Sequence, residues 1–249
     1  MIDLTRYDAI LVQSSAGKDS AAQLDVIAHA AHAAGVLDRV TVFHAELPGV
    51  EWPGVVDLAA TQAHHYGLRF AVRRQFRGLL DLIHQRGYFP AAHARFCTAD
   101  QKRAVAGKYV TELLRGEFRH LDRPLRVLSA LGLRAAESPT RARRPRLRTS
   151  TRNRAREVTE WLPIHDWTID QVWNTVNATG IPRHWAYTAG MSRLSCSICP
   201  LASRRDLVLA CQLRPQLARQ YAALEDAIGH RIQNRTSMHQ LIAQAAERP

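Results

Sequence analysis

Apolar and polar residues alternate along the first two thirds of the chain in a pattern that predicts strands and helices in turn. The apolar run at residues 7–13 predicts a buried strand. After a polar loop, apolar side chains recur at helical spacing from residue 20 to residue 34, and Gly35 follows, a residue favoured where helices end. The same pattern predicts strands at 40–43, 68–72 and 125–131, and helices at 52–66, 79–85 and 99–115.

Strands that alternate with helices of this length indicate right-handed βαβ units. We therefore predict an α/β fold with a mostly parallel, twisted sheet and helices on both faces. Residues 160–164 are predicted as a last strand, Thr168 to Gln171 has the spacing of a capping box, and the chain is predicted to be helical from Asp206 onward. We expect an α/β core at residues 1–165 and a helical C-terminal extension at 166–249.

The net charge of +12 comes mainly from one segment of the chain. Eight arginines and no acidic residue lie between Arg141 and Arg156, and the rest of the chain has an ordinary balance of +4. The segment interrupts the strand and helix pattern, so a flexible basic loop is predicted at 141–156. Two interpretations stay open: a solvated loop, or a contact surface for a polyanion such as a DNA backbone.

The distribution of apolar residues also bears on the compartment. No stretch approaches 18 consecutive apolar residues, and residues 1–7 lack the pattern of a signal peptide. We therefore expect a cytoplasmic protein without a membrane contact. Because cytoplasmic thiols stay reduced, the four cysteines indicate metal, cluster or redox chemistry more than structural disulfides.

The polar loop from Ser14 to Ser20 lies between a predicted strand and a predicted helix, an arrangement that binds phosphate. Small residues let the backbone approach an anion, and the helix N-terminus favours negative charge. Lys18 adds a mobile positive charge, and the serine hydroxyls can donate to phosphate oxygens. The loop is not a Walker A loop, because Lys18 is followed by Asp19. The alternative is a plain helix-capping turn.

The residues Ser15-Ala16-Gly17-Lys18-Asp19-Ser20 resemble the S-x-G-x-D-S pyrophosphate-binding loop of the PP-loop, or adenine nucleotide α-hydrolase-like, superfamily. That group includes ATP pyrophosphatases, FAD synthetases and the phosphoadenosine phosphosulfate (sulfonucleotide) reductases. Further segments resemble the reductase branch in the same order. They are Arg95 to Thr98 with Lys102, Gly132 to Ser138 with Arg141, Pro163 to Trp167 with Val172-Trp173, and the Cys-x-x-Cys-Pro at 196–200.

The resemblance implies an adenine nucleotide site. Its predicted contacts are Ser14, Ser15, Ala16, Gly17, Lys18, Asp19, Ser20, His44, Glu46, Gly132, Arg134, Ser138 and Arg141. Arg134 and Arg141 could each donate paired hydrogen bonds to phosphate or sulfate oxygens at the carboxyl edge of the sheet. Lys18, Asp19, Arg134 and Glu137 are the candidate catalytic residues, and Glu137 would orient an arginine or help to hold Mg²⁺. A surface loop with an internal Arg–Glu pair is the alternative for the segment after Gly132.

The cysteines predict a second site. Cys196 and Cys199 have the spacing of metal or cluster ligands, Cys211 follows 12 residues later, and Cys97 lies in one of the family segments. Four thiolates suit a [4Fe–4S] cluster or, as an alternative, zinc, and free or redox-active thiols stay open as well. Cys211 is the weakest candidate, because an isolated cysteine in an apolar helix usually belongs to the core.

The chain departs from the reductases at two points. They resemble one another in a catalytic cysteine on the C-terminal tail, whereas no cysteine follows Cys211 here, and Cys97-Thr98 stands where the assimilatory enzymes have a Cys-Cys pair. The remaining features look more like the ATP pyrophosphatases of bacterial DNA phosphorothioation (the Dnd and Ssp systems).

That likeness implies cleavage of ATP to AMP and pyrophosphate, adenylylation of a DNA phosphate, and partner proteins that transfer sulfur, with an oligomer possible. The alternatives are sulfonucleotide reduction, another adenylyl transfer such as FAD synthesis or tRNA thiolation, and a non-catalytic module that senses nucleotide and binds DNA.

Overall fold

The computed structural model describes residues 2–247 and contains a six-stranded sheet with the strand order β3-β2-β1-β4-β6-β5. The strands are β1 (Ala9–Gln13), β2 (Val40–Ala45), β3 (Arg69–Arg73), β4 (Leu125–Leu131), β5 (Leu147–Arg152) and β6 (Arg156–Trp161). Neighbours from β3 to β6 pair in parallel, and β5 pairs antiparallel to β6. The predicted α/β fold with a mostly parallel sheet is confirmed.

The α-helices are α1 (Lys18–Ala33), α2 (Val55–His65), α3 (Leu79–Arg86), α4 (Phe96–Thr98), α5 (Ala104–Arg115), α6 (Pro139–Ala142), α7 (Ile169–Ala178), α8 (Trp185–Thr188), α9 (Arg204–Leu213), α10 (Pro215–Ile228) and α11 (Met238–Ala246). Short 3-10 turns lie at Leu4–Arg6, Leu37–Arg39 and Ala135–Glu137, and a π-helical turn at Ala99–Arg103 leads into α5. Among residues 2–247, no helix combines the length and the apolar character that crossing a bilayer requires.

The described residues divide into two compact units. The sheet unit comprises the chain up to residue 45 with 54–73 and 106–184, and the helical unit comprises 46–53, 74–105 and the chain from 185 onward. The two units therefore interleave along the chain, whereas the sequence pattern placed a single boundary at residue 165. The C-terminal helices α9, α10 and α11 agree with the predicted helical extension.

The core of the sheet unit fixes where α1 begins. Ile10 and Val12 of β1 pack against Leu24 and Ile27 of α1 in one buried cluster. On the other side of α1, Ala21 and Ala22 are buried against Val172 and Val176 of α7. Because both clusters hold the first half of α1, the N-terminus of that helix is fixed just beyond the carboxyl end of β1.

The flexible loop predicted at 141–156 is wrong, because this segment forms most of a β-hairpin. All six residues of β5 are exposed, so the strand lacks the apolar alternation that marks a half-buried strand. β-branched Thr149 and Thr151 favour an extended backbone, and the register between them shifts by a bulge. An exposed edge strand rich in arginine gives a loop-like sequence pattern, and this misled the prediction.

Candidate active site

The loop that follows β1 is held by its own serine side chains. The N–H of Ser14 donates to the carbonyl of Phe43 in β2 at 2.8 Å, and the Oγ of Ser14 accepts from the N–H of Ala16 at 3.1 Å. Ala16 has φ +56°, a left-handed conformation that is uncommon for residues other than glycine. This turn directs the chain from the end of β1 into α1.

Ser20 closes the loop from the first turn of α1. Its Oγ donates to the carbonyl of Gly17 at 2.8 Å and accepts from the N–H of Ser15 at 3.3 Å. Gly17 is the N-cap and makes no side-chain bond to the helix, and the first N–H groups of an α-helix have no partner within the helix. The loop therefore presents a helix N-terminus, with its positive end of the dipole, where a phosphate can bind.

One carboxylate joins two buried cations at this N-terminus. The Oδ2 of Asp19 accepts from the Nζ of Lys18 at 2.9 Å, and its Oδ1 accepts from the Nε of Arg134 at 2.6 Å. The side chains of Lys18 and Arg134 are only 7% and 8% exposed. Two cations against one carboxylate leave a local excess of positive charge, held in a fixed geometry and largely shielded from water.

Gly132, just after β4, allows this approach. A Cβ built on Gly132 would lie 2.7 Å from the carbonyl oxygen of Asp19 and 2.9 Å from its carbonyl carbon. Both atoms belong to the backbone and cannot rotate away, so a larger residue would separate β4 from α1. The glycine therefore brings Arg134, two residues further on, within reach of Asp19.

The segment after Gly132 holds a second carboxylate. The side chain of Glu137 accepts from the backbone N–H of Arg134 at 2.9 Å and forms an ion pair with the Arg141 guanidinium. The Oγ of Ser138 accepts from the N–H of Arg141 at 3.3 Å. Glu137 thus orients Arg141 and fixes the backbone at Arg134, while Ser138 begins the short helix α6.

A buried histidine supports the same segment. The carbonyl of His165 accepts from the N–H of Ala135 at 2.7 Å, and the Nε2 of His165 lies 3.0 Å from the carbonyl of Arg141. The backbone at both ends of the segment is therefore tied to one residue. His165 lies in one of the segments that resemble the reductases, but its buried polar position next to Asp166 was not assigned a role from the sequence.

Of the predicted contacts His44 and Glu46, His44 lies within β2 and next to the loop. The Nδ1 of His44, which is buried, lies 2.9 Å from the carbonyl of Ser14. Glu46 belongs to the helical unit, where it forms an ion pair with Arg74 at 3.5 Å. His44 therefore supports the base of the loop after β1, and its ring contacts the backbone there.

Two buried glutamines beside the loop were missed by the sequence reasoning. The Nε2 of Gln62 donates to the carbonyl of Ala16 at 3.3 Å, and the Nε2 of Gln23 donates to the carbonyl of Gln13 at 2.6 Å. The Oε1 atoms of both glutamines are buried without a hydrogen-bond partner among residues 2–247. A polar residue on the buried face of each helix was the available signal, since such residues are rarely placed in a core without a partner.

All four cysteines belong to the helical unit, and three of them influence one another. Burial raises the pKa of Cys97, and Cys199 raises it further. Burial also raises the pKa of Cys196 to about 12; Lys102 lowers it, whereas Cys199, Glu51 and Cys97 raise it. The three thiols influence the pKa values of one another, so they lie in one region. We call Cys97, Cys196 and Cys199 the thiol cluster.

Hydrogen bonds hold the loop that carries Cys196 and Cys199. Glu51 and Cys196 form an isolated antiparallel bridge, and the N–H of Ser197 donates to the carbonyl of Val50 at 2.8 Å. Arg214 donates to the carbonyl of Glu51 at 2.8 Å and to the Oγ of Ser197 at 3.0 Å. These bonds hold the first residues of the Cys-x-x-Cys in place.

Cys211 lies apart from the thiol cluster. It is buried in α9, burial is the one cause that raises its pKa to about 11, and none of the other thiols contributes. All four cysteines are free. In the part of the chain that the structure describes, no three His, Cys, Asp or Glu side chains are already arranged to hold a metal ion.

Acidic residues from outside the arginine-rich segment neutralise much of its charge. The pairs are Arg144 and Arg148 with Glu160 (2.6 Å each), Arg146 with Asp166 (2.8 Å), Arg152 with Glu157 (3.2 Å) and Arg141 with Glu137. Arg156 donates to the carbonyl of Gly107 and to Thr111. Of the eight arginines, Arg143, Arg154 and Arg156 make no ion pair with a carboxylate of residues 2–247, and Arg156 is engaged by those two hydrogen bonds. The exposed positive charge is therefore smaller than the sequence suggests.

Glu160 is the centre of this pairing. Burial raises its pKa, but hydrogen bonds from Arg148 and Arg144 outweigh that effect, and the pKa lies below its ordinary value. Its carboxylate therefore stays charged and binds β6 to Arg148 of β5 and to Arg144, which precedes that strand.

Comparison of the sequence with known families gives one match over most of the chain. Residues 9–202 match the family described as phosphoadenosine phosphosulfate reductase domain. An uncharacterised 37.8 kDa protein of Escherichia phage 186 is 32% identical over 129 residues, which are 51% of this chain and 36% of the phage protein. The chain thus spans about a third of that relative.

Two solved structures are similar to the chain over about three quarters of its length. FMN adenylyltransferase of Candida glabrata, in complex with FAD and inorganic pyrophosphate, has a TM-score of 0.50 and 10% identity over 77% of this chain and 57% of that chain. Phosphoadenylyl-sulfate reductase from Candida auris, in a phosphate complex, has a TM-score of 0.49 and 14% identity over 78% of this chain and 83% of that chain. At 10% identity, the likeness to the adenylyltransferase concerns the fold alone.

Proposed function

Because the chain belongs to the phosphoadenosine phosphosulfate reductase domain family, we propose that it binds ATP and cleaves the bond between the α and β phosphates. The observation that carries the proposal is the pair of buried cations, Lys18 and Arg134, that Asp19 holds at the N-terminus of α1. The family, by its description, and the adenylyltransferase of similar fold are nucleotide-utilising enzymes.

The two cations and the helix N-terminus form a preorganised site for phosphate charge. The loop from Ser14 to Gly17 supplies backbone, and Lys18 and Arg134 supply positive charge that needs no rearrangement when ATP binds. The carboxylates of Asp19 and Glu137 are both engaged by cations. Mg²⁺ therefore fits best as part of the substrate, MgATP, bound mainly by phosphate oxygens and water.

The reaction is a displacement at the α-phosphorus. An acceptor oxygen forms a bond to the α-phosphorus, the bond from that phosphorus to the bridging oxygen breaks, and pyrophosphate leaves with the electron pair. Lys18 and Arg134 stabilise the negative charge that develops on the phosphate oxygens. Water as acceptor gives AMP, and a phosphate oxygen as acceptor gives an adenylylated phosphate.

A DNA phosphate is the acceptor that we propose, with sulfur inserted afterwards by partner proteins in a phosphorothioate modification. Support comes from the net charge of +12 and from the exposed arginines of the β5–β6 hairpin. Most arginines of the 141–156 segment are paired within the chain, so the contact depends chiefly on Arg143, at the end of α6, and Arg154, between β5 and β6. Phosphate contacts of this kind position DNA without reading its sequence.

The thiol cluster fits a [4Fe–4S] cluster by the chemistry of its donors, which are three thiols that share one region. Cys97, Cys196 and Cys199 would hold it, and a fourth ligand would have to be other than Cys211. When bound, such a cluster supplies a redox-active centre with labile sulfur chemistry. Zinc bound by the same thiols is the alternative.

Sulfonucleotide reduction is the second candidate function, favoured by the family description. The described thiols do not favour it, because Cys97, Cys196 and Cys199 form the thiol cluster that we propose as a metal site, and Cys211 is buried among apolar residues of α9.

One experiment separates the two functions. Purified protein is incubated with MgATP, with and without duplex DNA, and in parallel with a phosphosulfate nucleotide and a thiol reductant, while AMP, pyrophosphate and sulfite are measured. Pyrophosphate from ATP with no sulfite supports the proposal. Sulfite release without pyrophosphate would make the protein a reductase, and neither product would leave a nucleotide-sensing module.

A further inference from the structure

Tyr221 has a buried hydroxyl that makes no hydrogen bond. The residue lies in α10, its side chain is fully buried, and its ring stacks on Phe89 with the centroids 6.1 Å apart. No atom of residues 2–247 is a hydrogen-bond partner for the hydroxyl oxygen. A buried hydroxyl without a partner is unfavourable, because it has lost water and gained nothing in return. Such a group indicates that a partner is missing.

The surroundings of this hydroxyl show where the missing partner belongs. Burial raises the pKa of Tyr221 well above its usual value, and the nearby thiols of Cys196, Cys199 and Cys97 raise it further. Arg214, which precedes α10, is tied to Glu51 and to Ser197 of the Cys-x-x-Cys. The helix that carries Tyr221 is therefore fixed to the loop that carries Cys196 and Cys199, and both belong to the helical unit.

We propose that the Tyr221 hydroxyl donates a hydrogen bond to a sulfur of the metal centre held by Cys97, Cys196 and Cys199. This inference rests on the proposed cluster. A phenol is protonated near neutral pH, and thiolate and sulfide sulfurs in iron–sulfur clusters accept hydrogen bonds that adjust the reduction potential. Reduction adds negative charge to the cluster, and a donor stabilises that charge. Tyr221 is thus a positioning residue that makes the centre easier to reduce.

The test compares wild type with Tyr221→Phe, which removes one oxygen and no bond between protein groups. Both proteins are prepared anaerobically, their iron and sulfide are counted, and the midpoint potential is measured by titration followed by electron paramagnetic resonance. We expect equal iron content and a more negative potential in the variant. Tyr66→Phe is the control, because its hydroxyl donates to Asp25 at 2.8 Å, and it should leave the potential unchanged.

The outcomes distinguish the two proposals. Wild-type protein that binds zinc and no iron would overturn the cluster itself. An iron-loaded Tyr221→Phe protein with the wild-type potential would overturn the role of Tyr221 and leave the cluster standing. Thermal unfolding of the metal-free proteins gives a second check: Tyr221→Phe should lose no stability, whereas Tyr66→Phe should lose some. A marked loss in Tyr221→Phe would mean that the hydroxyl already has a partner in the protein.

Discussion

The Nε of Arg134 lies 2.6 Å from the Oδ1 of Asp19, although 115 residues separate them in the sequence. Asp19 also accepts from its neighbour Lys18. In a phosphate-binding loop an acidic side chain would repel the ligand if it stood alone. Here it serves to fix two cations, so its negative charge is already compensated before the nucleotide arrives.

Asp19→Asn should therefore lower the rate of pyrophosphate release strongly, on the order of 100-fold, because an amide cannot hold both cations in place. Far-UV circular dichroism should show an unchanged fold. The matched control is Asp38→Asn, which changes an exposed carboxylate outside the loop and should leave the rate as in wild type. A variant at Asp19 with the wild-type rate and ATP affinity would contradict the assignment.

Gly132→Ala should destabilise the protein by about 1–3 kcal/mol and weaken ATP binding, because its Cβ would overlap the backbone of Asp19. Gly107→Ala provides the control. That glycine lies in α5 with nothing within 4 Å of an added Cβ, so alanine should stabilise the helix by about 0.5–1 kcal/mol. Denaturant unfolding and ATP titration measure both effects. Equal behaviour of the two variants would contradict the close contact at Gly132.

Glu160→Gln should destabilise the protein at neutral pH by about 1–3 kcal/mol, because Arg144 and Arg148 lose their shared partner. The pKa of Glu160 is lower in the folded protein than its ordinary value of 4.5. Its contribution is therefore complete above pH 4.5 and disappears as the pH falls through the folded-state pKa. The difference in unfolding free energy between wild type and variant should shrink over that range. A constant difference down to pH 3 would refute the prediction.

Substitution of single cysteines should divide them into two classes by the iron and sulfide that the variants retain. Cys97→Ser, Cys196→Ser and Cys199→Ser should each remove most of the iron and sulfide from anaerobically prepared protein, since each thiol belongs to the thiol cluster. Cys211→Ala should retain both, because that side chain lies in the interior of α9 among apolar residues. Loss of iron from Cys211→Ala without loss of folding would show that the fourth cysteine is a ligand after all.

The arginines of the 141–156 segment should divide in the same way. Changing Arg143 and Arg154 to Gln should reduce the salt dependence of DNA affinity by a slope of roughly 0.9 for each phosphate that the variant no longer neutralises. Changing Arg144 and Arg148 to Gln should lower stability, through Glu160, with a smaller effect on that slope. DNA affinity is measured against salt for both double variants. Curves identical to wild type for Arg143 and Arg154 would remove the main support for a DNA acceptor.

The sequence predicted the parallel sheet well because its inner strands are apolar on both faces and its helices have clear periodicity. β5 escaped prediction because an edge strand exposed on both faces has no apolar pattern. The helix predicted from Trp52 begins later, at Val55, because Pro53 precedes it and Gly54 is left-handed with φ +85°.

At the site, motif order located Lys18, Asp19 and Arg134, but spacing alone gives no distances. That Asp19 bridges the two cations, and that Gly132 permits it, depends on long-range packing of β4 against α1. The ion pairs of the arginines with Glu160, Asp166 and Glu157 could not be predicted either, because these acidic partners lie outside the 141–156 segment. Cys211 was the weakest of the four cysteines in the sequence, and its burial in α9 agrees with a place in the core.

The exposed strand β5 has a consequence for self-association. Its outer edge carries backbone N–H and C=O groups that could form hydrogen bonds with a strand of another chain. Such pairing is a common route to aggregation. Arg148 and Arg152 place positive charges along that edge, and the bulge between Thr149 and Thr151 bends it away from a flat template. The arginines that form ion pairs with β6 therefore also act as gatekeepers. Replacing them with threonine would preserve the strand and favour fibrous or amorphous deposits at high concentration.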